Sequence, residues 1–272
     1  MPGEALVHIK QLSLLGMISR LPGSTLHTLA IEIYSRRSTS LSWFHQVRAI
    51  SLQYQLPHPL VLLKSPTSYS KVSYKKLVQQ KITDYWEKLL RAEADHLESL
   101  EYFNPNYMSL SKPHPIFLSA YSSSYEIVKA TVQAVFLSGR YRTERLSRFW
   151  LKNPDGFCLS SSCDGLQIQE DLPHILLNCR SLAPTRAKLA AFTLHYARLN
   201  PEVSDIVLTF TNPHHPQFIQ FLLDCSSMPQ VIFFAQKYGN TALYKLFKVT
   251  RAWCYSLHRD RLKSLGRWTS FR

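Results

Sequence analysis

The sequence predicts an all-α fold, and three observations carry that reading. Apolar residues recur every three or four positions in one segment after another, no alternating run is long enough to build a sheet, and no internal repeat occurs. Only 8 of the 272 residues are glycine, while 45% are hydrophobic and 12% aromatic, a composition that folds around a core and does not suit a low-complexity chain.

Taken in order, Leu6, Ile9, Leu12, Leu15 and Ile18 place one apolar helical face over residues 5–20, which Pro22-Gly23 ends. A second helical pattern starts near Trp43, carries Val47 and Ile50, and stops before Leu56-Pro57-His58-Pro59. Residues 57–73, with Pro57, Pro59, Pro66 and several serines, read as a surface connection. Val78, Ile82, Tyr85, Trp86, Leu89 and Leu90 then mark the clearest helix, with Ser73 as its expected cap and Lys81, Glu87, Lys88, Arg91 and Asp95 on a solvated face. Residues 104–120 read as loop. Ser123-x-x-Glu126 announces another helix, terminated at Gly139. Helices are also expected over 184–199, closed by Asn200-Pro201, over about 215–224 and 229–238, and through Leu243, Leu246, Phe247, Trp253, Leu257 and Leu265.

Lysine and arginine total 32 against 18 aspartate and glutamate, a formal net charge of +14 that points to an anionic partner. No run approaches the roughly 18 to 20 apolar residues of a membrane span, and MPGEALVHIKQL lacks the basic-then-apolar order of a secretory signal. The expectation is therefore a soluble, intracellular protein, nuclear or cytoplasmic and not secreted, that uses no membrane and keeps its five cysteines as thiols or metal ligands. Neither glycine-rich phosphate-binding signature occurs, nor G-x-S-x-G, H-E-x-x-H, or H-x-E paired with P-C-x-x-C. Glu170-Asp171, the one adjacent acidic pair, lies among candidate metal ligands. No enzymatic activity and no small-molecule substrate are expected.

The residues that do carry chemistry are Cys158, Cys163, His174 and Cys179, spaced C-x4-C-x10-H-x4-C. Three sulfurs and one imidazole complete a tetrahedral shell and leave no position open for a substrate, so a single zinc ion there would be structural. Asp164-Gly165 can reverse the chain, and Asp171 and Pro173 suit the start of a short helix bearing His174. Positions five apart lie about 140° apart on a regular helix, so this helix must end or loosen near Asn178 if His174 and Cys179 share an ion. The competing reading is four ordinary residues, with Cys179 a small buried side chain. Cys225 and Cys254 read as plain buried cysteines.

The segment GFCLSSSCDGLQIQEDLPHILLNC, followed by SLAPTR, resembles the zinc-knuckle region in the C-terminal part of non-LTR (LINE-type) retrotransposon reverse transcriptases. LSLLGMISRLPGSTLH resembles the segment after the polymerase palm in that family, SGRYRTERLSRFW the basic stretch before the knuckle, and WCYSLHRDRLKSLGRW the C-terminal end. The resemblance implies Cys158, Cys163, His174 and Cys179 as zinc ligands in a tail that contacts template RNA or target DNA. Nothing in the chain matches the catalytic aspartates of the polymerase or an endonuclease site.

The basic residues favour the same partner independently. Arg140, Arg142, Arg145, Arg148 and Lys152 face one Glu144, with Tyr141, Phe149 and Trp150 between them, so that cations can meet phosphates while rings stack on unpaired bases. A helical stretch would put Arg145, Arg148 and Lys152 on one face. Residues 240–272 add 8 lysines and arginines against one aspartate.

The expected organisation is an irregular multi-helix assembly with a small CCHC zinc-knuckle insertion. It has N-terminal helices over 1–56, a helical connector with the basic stretch over 57–152, the knuckle over 153–182, and a C-terminal helical region over 183–272. The expected function is a non-catalytic tail binding RNA, DNA or both. Its rival is a helical protein-interaction or scaffold module whose zinc only staples the fold and whose charge serves solubility.

Overall fold

A computed structural model describes residues 2–35, 42–65, 68–97, 100–105, 109–110, 112–121, 123–147, 155–163 and 165–267. Among them the helices are α1 (Gly3–Ile18), α2 (Thr25–Ser35), α3 (Trp43–Gln53), α4 (Pro59–Lys64), α5 (Lys71–Asp95), α6 (Pro115–Leu118), α7 (Ser124–Leu137), α8 (Glu144–Ser147), α9 (Ala183–Leu199), α10 (Pro201–Phe210), α11 (Phe218–Asp224), α12 (Pro229–Tyr238) and α13 (Asn240–Ser264). The described residues contain no strand, only an isolated antiparallel bridge between Phe157 and Gln169, so the protein is all-α.

The chain forms two compact units, Met1–Glu93 with Met108–Lys112, and Ala94–Tyr107 with Pro113–Arg272. The first boundary therefore falls at the end of α5, where a division after residue 56 was expected. Val78 and Ile82 of α5 are buried in one cluster with Leu12, Leu15, Val47 and Leu63, which ties that helix to α1, α3 and α4.

In the first unit, the Tyr54 hydroxyl lies 2.7 Å from His8 Nδ1 and accepts from Trp86 Nε1 at 3.0 Å, linking α1 and α5 to the end of α3. Gly16 makes α1 fit against α5, because a Cβ there would stand 2.5 Å from the Tyr74 ring. α1 buries Leu12, Leu15 and Ile18 as expected but leaves Leu6 exposed, since apolar residues surround this helix and only one side meets α3 and α4.

Three further expectations are corrected. Residues 57–73 are not simply a surface connection, because Pro59 begins α4, whose Leu62 and Leu63 enter the core. Residues 104–120 likewise contain α6, with Ile116 buried. Both helices have a His-Pro start in which His Nδ1 accepts the N–H two residues on, from Leu60 to His58 and from Ile116 to His114, each at 3.2 Å. Proline at the first helical position loses no hydrogen bond and presets the backbone. The α5 cap is Ser70, whose Oγ accepts from the Ser73 N–H at 3.1 Å, where Ser73 was expected. Helices α2 and α10 were not anticipated.

The second unit is built around α13, which buries Leu246, Phe247, Val249, Trp253, Cys254 and Leu257 against α7, α9, α10, α11 and α12. Trp253 Nε1 donates to Thr193 of α9 at 3.0 Å. Arg251 is buried, donates to the Ile116 carbonyl at 3.2 Å, and pairs with Glu126 at 3.1 Å. Ser123 caps α7 by accepting the Glu126 N–H at 3.2 Å, as its sequence pattern predicts. Cys225 and Cys254 are both fully buried. Among the described residues no single helix is long and apolar enough to cross a membrane.

His258 of α13 lies 3.0 Å from the Tyr141 hydroxyl, and burial, with the nearby Arg261 charge, depresses its pKa to about 4. The unfolded imidazole titrates near ~6.5, so acid protonates the unfolded chain first. This contribution is complete above that pH and is lost as the pH falls towards the folded value. Urea midpoints measured at falling pH should show the gap between wild type and His258→Gln narrowing through that window. A gap that stays constant would remove His258 as an acid-sensitive group.

Candidate metal centre

Short hydrogen bonds bring Cys158, Cys163, His174 and Cys179 together across a loop-rich segment. Cys158 is fixed by a two-rung pairing, its N–H to the Ile168 carbonyl at 2.9 Å and the Glu170 N–H to the Gly156 carbonyl at 3.0 Å. A one-turn 3-10 helix, Ser161–Cys163, delivers Cys163. Gly165 (φ +76°) and Gln167 (φ +47°) then carry the chain through left-handed conformations back to the bridge. Asp171 starts the next turn by accepting the His174 N–H at 2.8 Å, the role its sequence position predicts.

The geometric condition on His174 and Cys179 is met by a wide turn. Residues His174–Asn178 are π-helical, and the Cys179 N–H donates to the His174 carbonyl, five positions back, at 2.6 Å. An i→i+5 turn spans one more residue than an α-turn. It therefore stacks Cys179 over His174, which a regular helix would not do.

All four ligand atoms lie within 4.8 Å of one another and all four residues are buried. Cys158 Sγ is 4.0 Å from Cys179 Sγ, Cys163 Sγ is 3.9 Å from Cys179 Sγ, and Cys163 Sγ is 3.8 Å from His174 Nε2. A tetrahedron with metal–sulfur bonds of about 2.3 Å has edges of about 3.8 Å, so these atoms can hold a metal ion with little movement. His174 Nδ1 is buried without a hydrogen-bond partner, and the ring is oriented by its packed position.

Electrostatics within the cluster favour thiolate at Cys179 and thiol at Cys158. The Cys179 thiol is drawn well below the usual range by hydrogen bonding from Cys158, with His174 and Ser181 adding to the effect, while the same contact pushes Cys158 far up. Arg186 donates from Nη2 to the Cys179 carbonyl at 2.7 Å. Its guanidinium is half-buried, so desolvation lowers its pKa while the Cys179 and Cys163 sulfurs oppose that shift. Three thiolates around a divalent ion leave one negative charge, and Arg186 is placed to offset it.

The centre is joined to the core by buried ions. Glu170, next to the bridge, pairs with Arg261 of α13, and its Oε1 also accepts the Glu144 N–H at 3.0 Å. Glu144 is buried and pairs with Arg267 at 2.6 Å. Glu170 and Asp171 thus serve a buried ion pair and a turn. Ile175, Leu176, Leu182 and the three cysteines belong to the same apolar cluster as Phe247 and Trp253. The cysteine segment is continuous with the second unit, where a separate small insertion was expected.

The predicted basic residues are only partly assembled. Arg140 and Arg142 are exposed and have no ion-pair partner among the described residues. The Arg145 side chain is 52% exposed and lies 3.9 Å from Asp171. Arg148 and Lys152, with Phe149 and Trp150, lie outside the described residues, and so does most of the helical face expected for Arg145, Arg148 and Lys152. Tyr141 is not available to stack on a base. It is buried against Phe136 at 3.8 Å between ring centroids, beneath Arg261. The basic C-terminal helix is largely engaged too, with Lys245 on Glu202, Arg251 on Glu126, Arg261 on Glu170, and Arg259 and Lys263 on Asp260. Glu202, Glu126 and Glu170 come from distant segments and carry no sequence signature, whereas Asp260 belongs to α13 itself.

Compared with protein-family models, curated proteins and solved structures, the chain matches none.

Gly156 holds the basic stretch against the cysteine segment. Its φ is +67°, and a Cβ there would meet Arg145 Cα at 2.8 Å, backbone that cannot swing aside. Gly156→Ala should destabilise the fold by about 1–3 kcal/mol from the left-handed conformation alone, seen as a lower denaturant midpoint. An unchanged midpoint would show that the stretch can detach freely.

Proposed function

We propose that this chain is a nucleic-acid-binding module in which one structural zinc ion, held by Cys158, Cys163, His174 and Cys179, anchors an arginine-rich segment that contacts RNA or DNA phosphates. The observation that carries the reading is a buried, self-contained ligand set bonded, through Glu170, to the stretch bearing Arg140, Arg142 and Arg145. A sulfur-rich tetrahedral set suits zinc, which brings no redox chemistry and, with all four positions filled by side chains, contributes folding energy. Anchoring limits the ordering cost of presenting the arginines. The likeness of this window to LINE-type reverse transcriptases points to the same partner class, and the proposed module performs no polymerase or nuclease reaction itself.

The scaffold reading also has an observation in its favour, since the α13 cations are mostly spent on intramolecular pairs. Salt dependence divides the two, because phosphate contacts release counterions and lose affinity steeply as salt rises.

Metal analysis of the purified protein should find one zinc per chain, falling well below one equivalent in Cys163→Ser and Cys179→Ser. Full zinc retention by either variant would remove the assignment. In fluorescence anisotropy with single-stranded RNA and duplex DNA, a folded, zinc-loaded variant with Arg140, Arg142, Arg145 and Arg148 changed to Ala should bind more weakly at moderate salt, with little dependence on sequence. Absence of salt-sensitive binding by the wild type would favour the scaffold.

A further inference from the structure

No aspartate or glutamate occurs between Glu32 and Asp84, an interval that holds Arg36, Arg37, Arg48, Lys64, Lys71, Lys75, Lys76 and Lys81. Arg36 and Arg37 lie outside the described residues, but the lysines are well placed to judge. Lys64 ends α4, and Lys71, Lys75 and Lys76 occupy the first two turns of α5. All four are exposed, and none has an ion-pair partner among the described residues.

Their position runs against what the fold alone would favour. A helix begins at the positive end of its dipole, where acidic residues stabilise and cations do not, yet the first turn of α5 has no acidic residue. Lys71 and Lys75 are four apart, a spacing at which like charges repel. Arg20 adds to the same field. Its Nη1 reaches within 3.5 Å of where a Gly16 Cβ would stand, beside the ring of Tyr74, which lies between these lysines in sequence. By contrast, α13 in the second unit meets its cations with carboxylates.

We infer that the lysine face at the start of α5, with Lys71 and Lys75 one above the other and Lys76 on its flank, is a second contact surface for nucleic acid and takes the phosphate backbone of a duplex. The inference rests on the proposed function for its partner class and extends it to a surface with a different chemistry. Tyr74 within these turns is buried, and the half-buried Tyr69 before them packs against the core and the edge of Tyr74, so the face offers point charges and no freely exposed ring on which to stack an unpaired base. Ser68, Ser70, Gln79 and Gln80 are exposed beside the lysines and can donate to phosphate oxygens. Neighbouring exposed apolar residues are the valines Val61 and Val72, unlike the Trp, Phe and Leu of helices that settle into a lipid interface.

The test uses the full zinc-loaded chain, a fluorescein-labelled 20-base-pair duplex of mixed sequence, and anisotropy across a potassium chloride series. Lys71→Gln/Lys75→Gln/Lys76→Gln alters exposed positions only, and a thermal melt checks that it folds. The expected result is a salt slope, log K against log[salt], shallower by roughly 2 to 3, with affinity at 0.1 M salt down by roughly 100-fold. Arg140→Gln/Arg142→Gln is measured alongside. If the arginine variant weakens and the lysine variant keeps wild-type affinity and slope, the lysine face is overturned while the proposed function stands. Wild-type protein without salt-dependent duplex binding overturns both. Binding to phosphatidylserine vesicles that is lost in the lysine variant, with duplex binding unchanged, assigns the face to membrane and also overturns the inference.

Discussion

Removing a carboxylate and a guanidinium from water costs several kcal/mol for each ion unless the two meet with their remaining hydrogen bonds satisfied, and Glu170 and Arg261 meet inside the second unit. That constraint organises much of what surrounds it. Glu170 sits one residue beyond the Phe157–Gln169 bridge that positions Cys158, and its carboxylate also takes the Glu144 N–H, so one side chain places the cysteine segment and the arginine-bearing stretch together. Arg261, in the last turn of α13, passes that position to the helix around which the unit is packed. Such a pair is weak as a source of net stability, but a register in which either ion lost its partner would leave a costly buried charge.

Much of the helical content was legible from spacing alone, and the failures share a cause. Pro59 reads as an interruption, Pro201 as a stop and residues 104–120 as loop, yet Pro59, Pro201 and Pro115 each begin a helix. The signal that separates the two roles is local. A preceding histidine with Nδ1 free to accept an N–H, as at His58 and His114, marks a start. At Asn200 the side chain turns back to the Tyr196 carbonyl, and the main chain alone bends between α9 and α10. Helix α2 is a different case, since its apolar residues have helical spacing and it begins directly after the Pro22-Gly23 turn.

At the candidate centre, the donor set and the requirement for a loosened turn were both readable, because ligand geometry and helical geometry are incompatible for residues five apart unless something gives. The π-turn is what gives. What spacing could not show was the destination of the acids and the cations. Tyr141 reads as a ring among arginines but is folded inward, and within 240–272, which carries half of the chain's net charge, Lys245, Arg251 and Arg261 are met by Glu202, Glu126 and Glu170 from elsewhere. A local charge count measures composition along a chain, whereas an electrostatic surface depends on which charges remain unanswered after folding. The lysines of α5 are conspicuous on both measures, and the cations of α13 only on the first.

The continuity of the cysteine segment with the apolar core has a kinetic meaning. Knuckles that stand apart from a domain can shed and regain their metal by a small local opening. Here Cys158, Cys163 and Cys179 share one cluster with Phe247 and Trp253, and all four ligand residues are buried. Opening the cysteine segment would expose part of that shared core, so the residence time of an ion seated there would be coupled to the stability of the unit as well as to the metal–sulfur bond. Exchange would then be slow under conditions where the protein is stable and abrupt where it is not, which makes the metal content a record of folding history more than of the metal concentration outside.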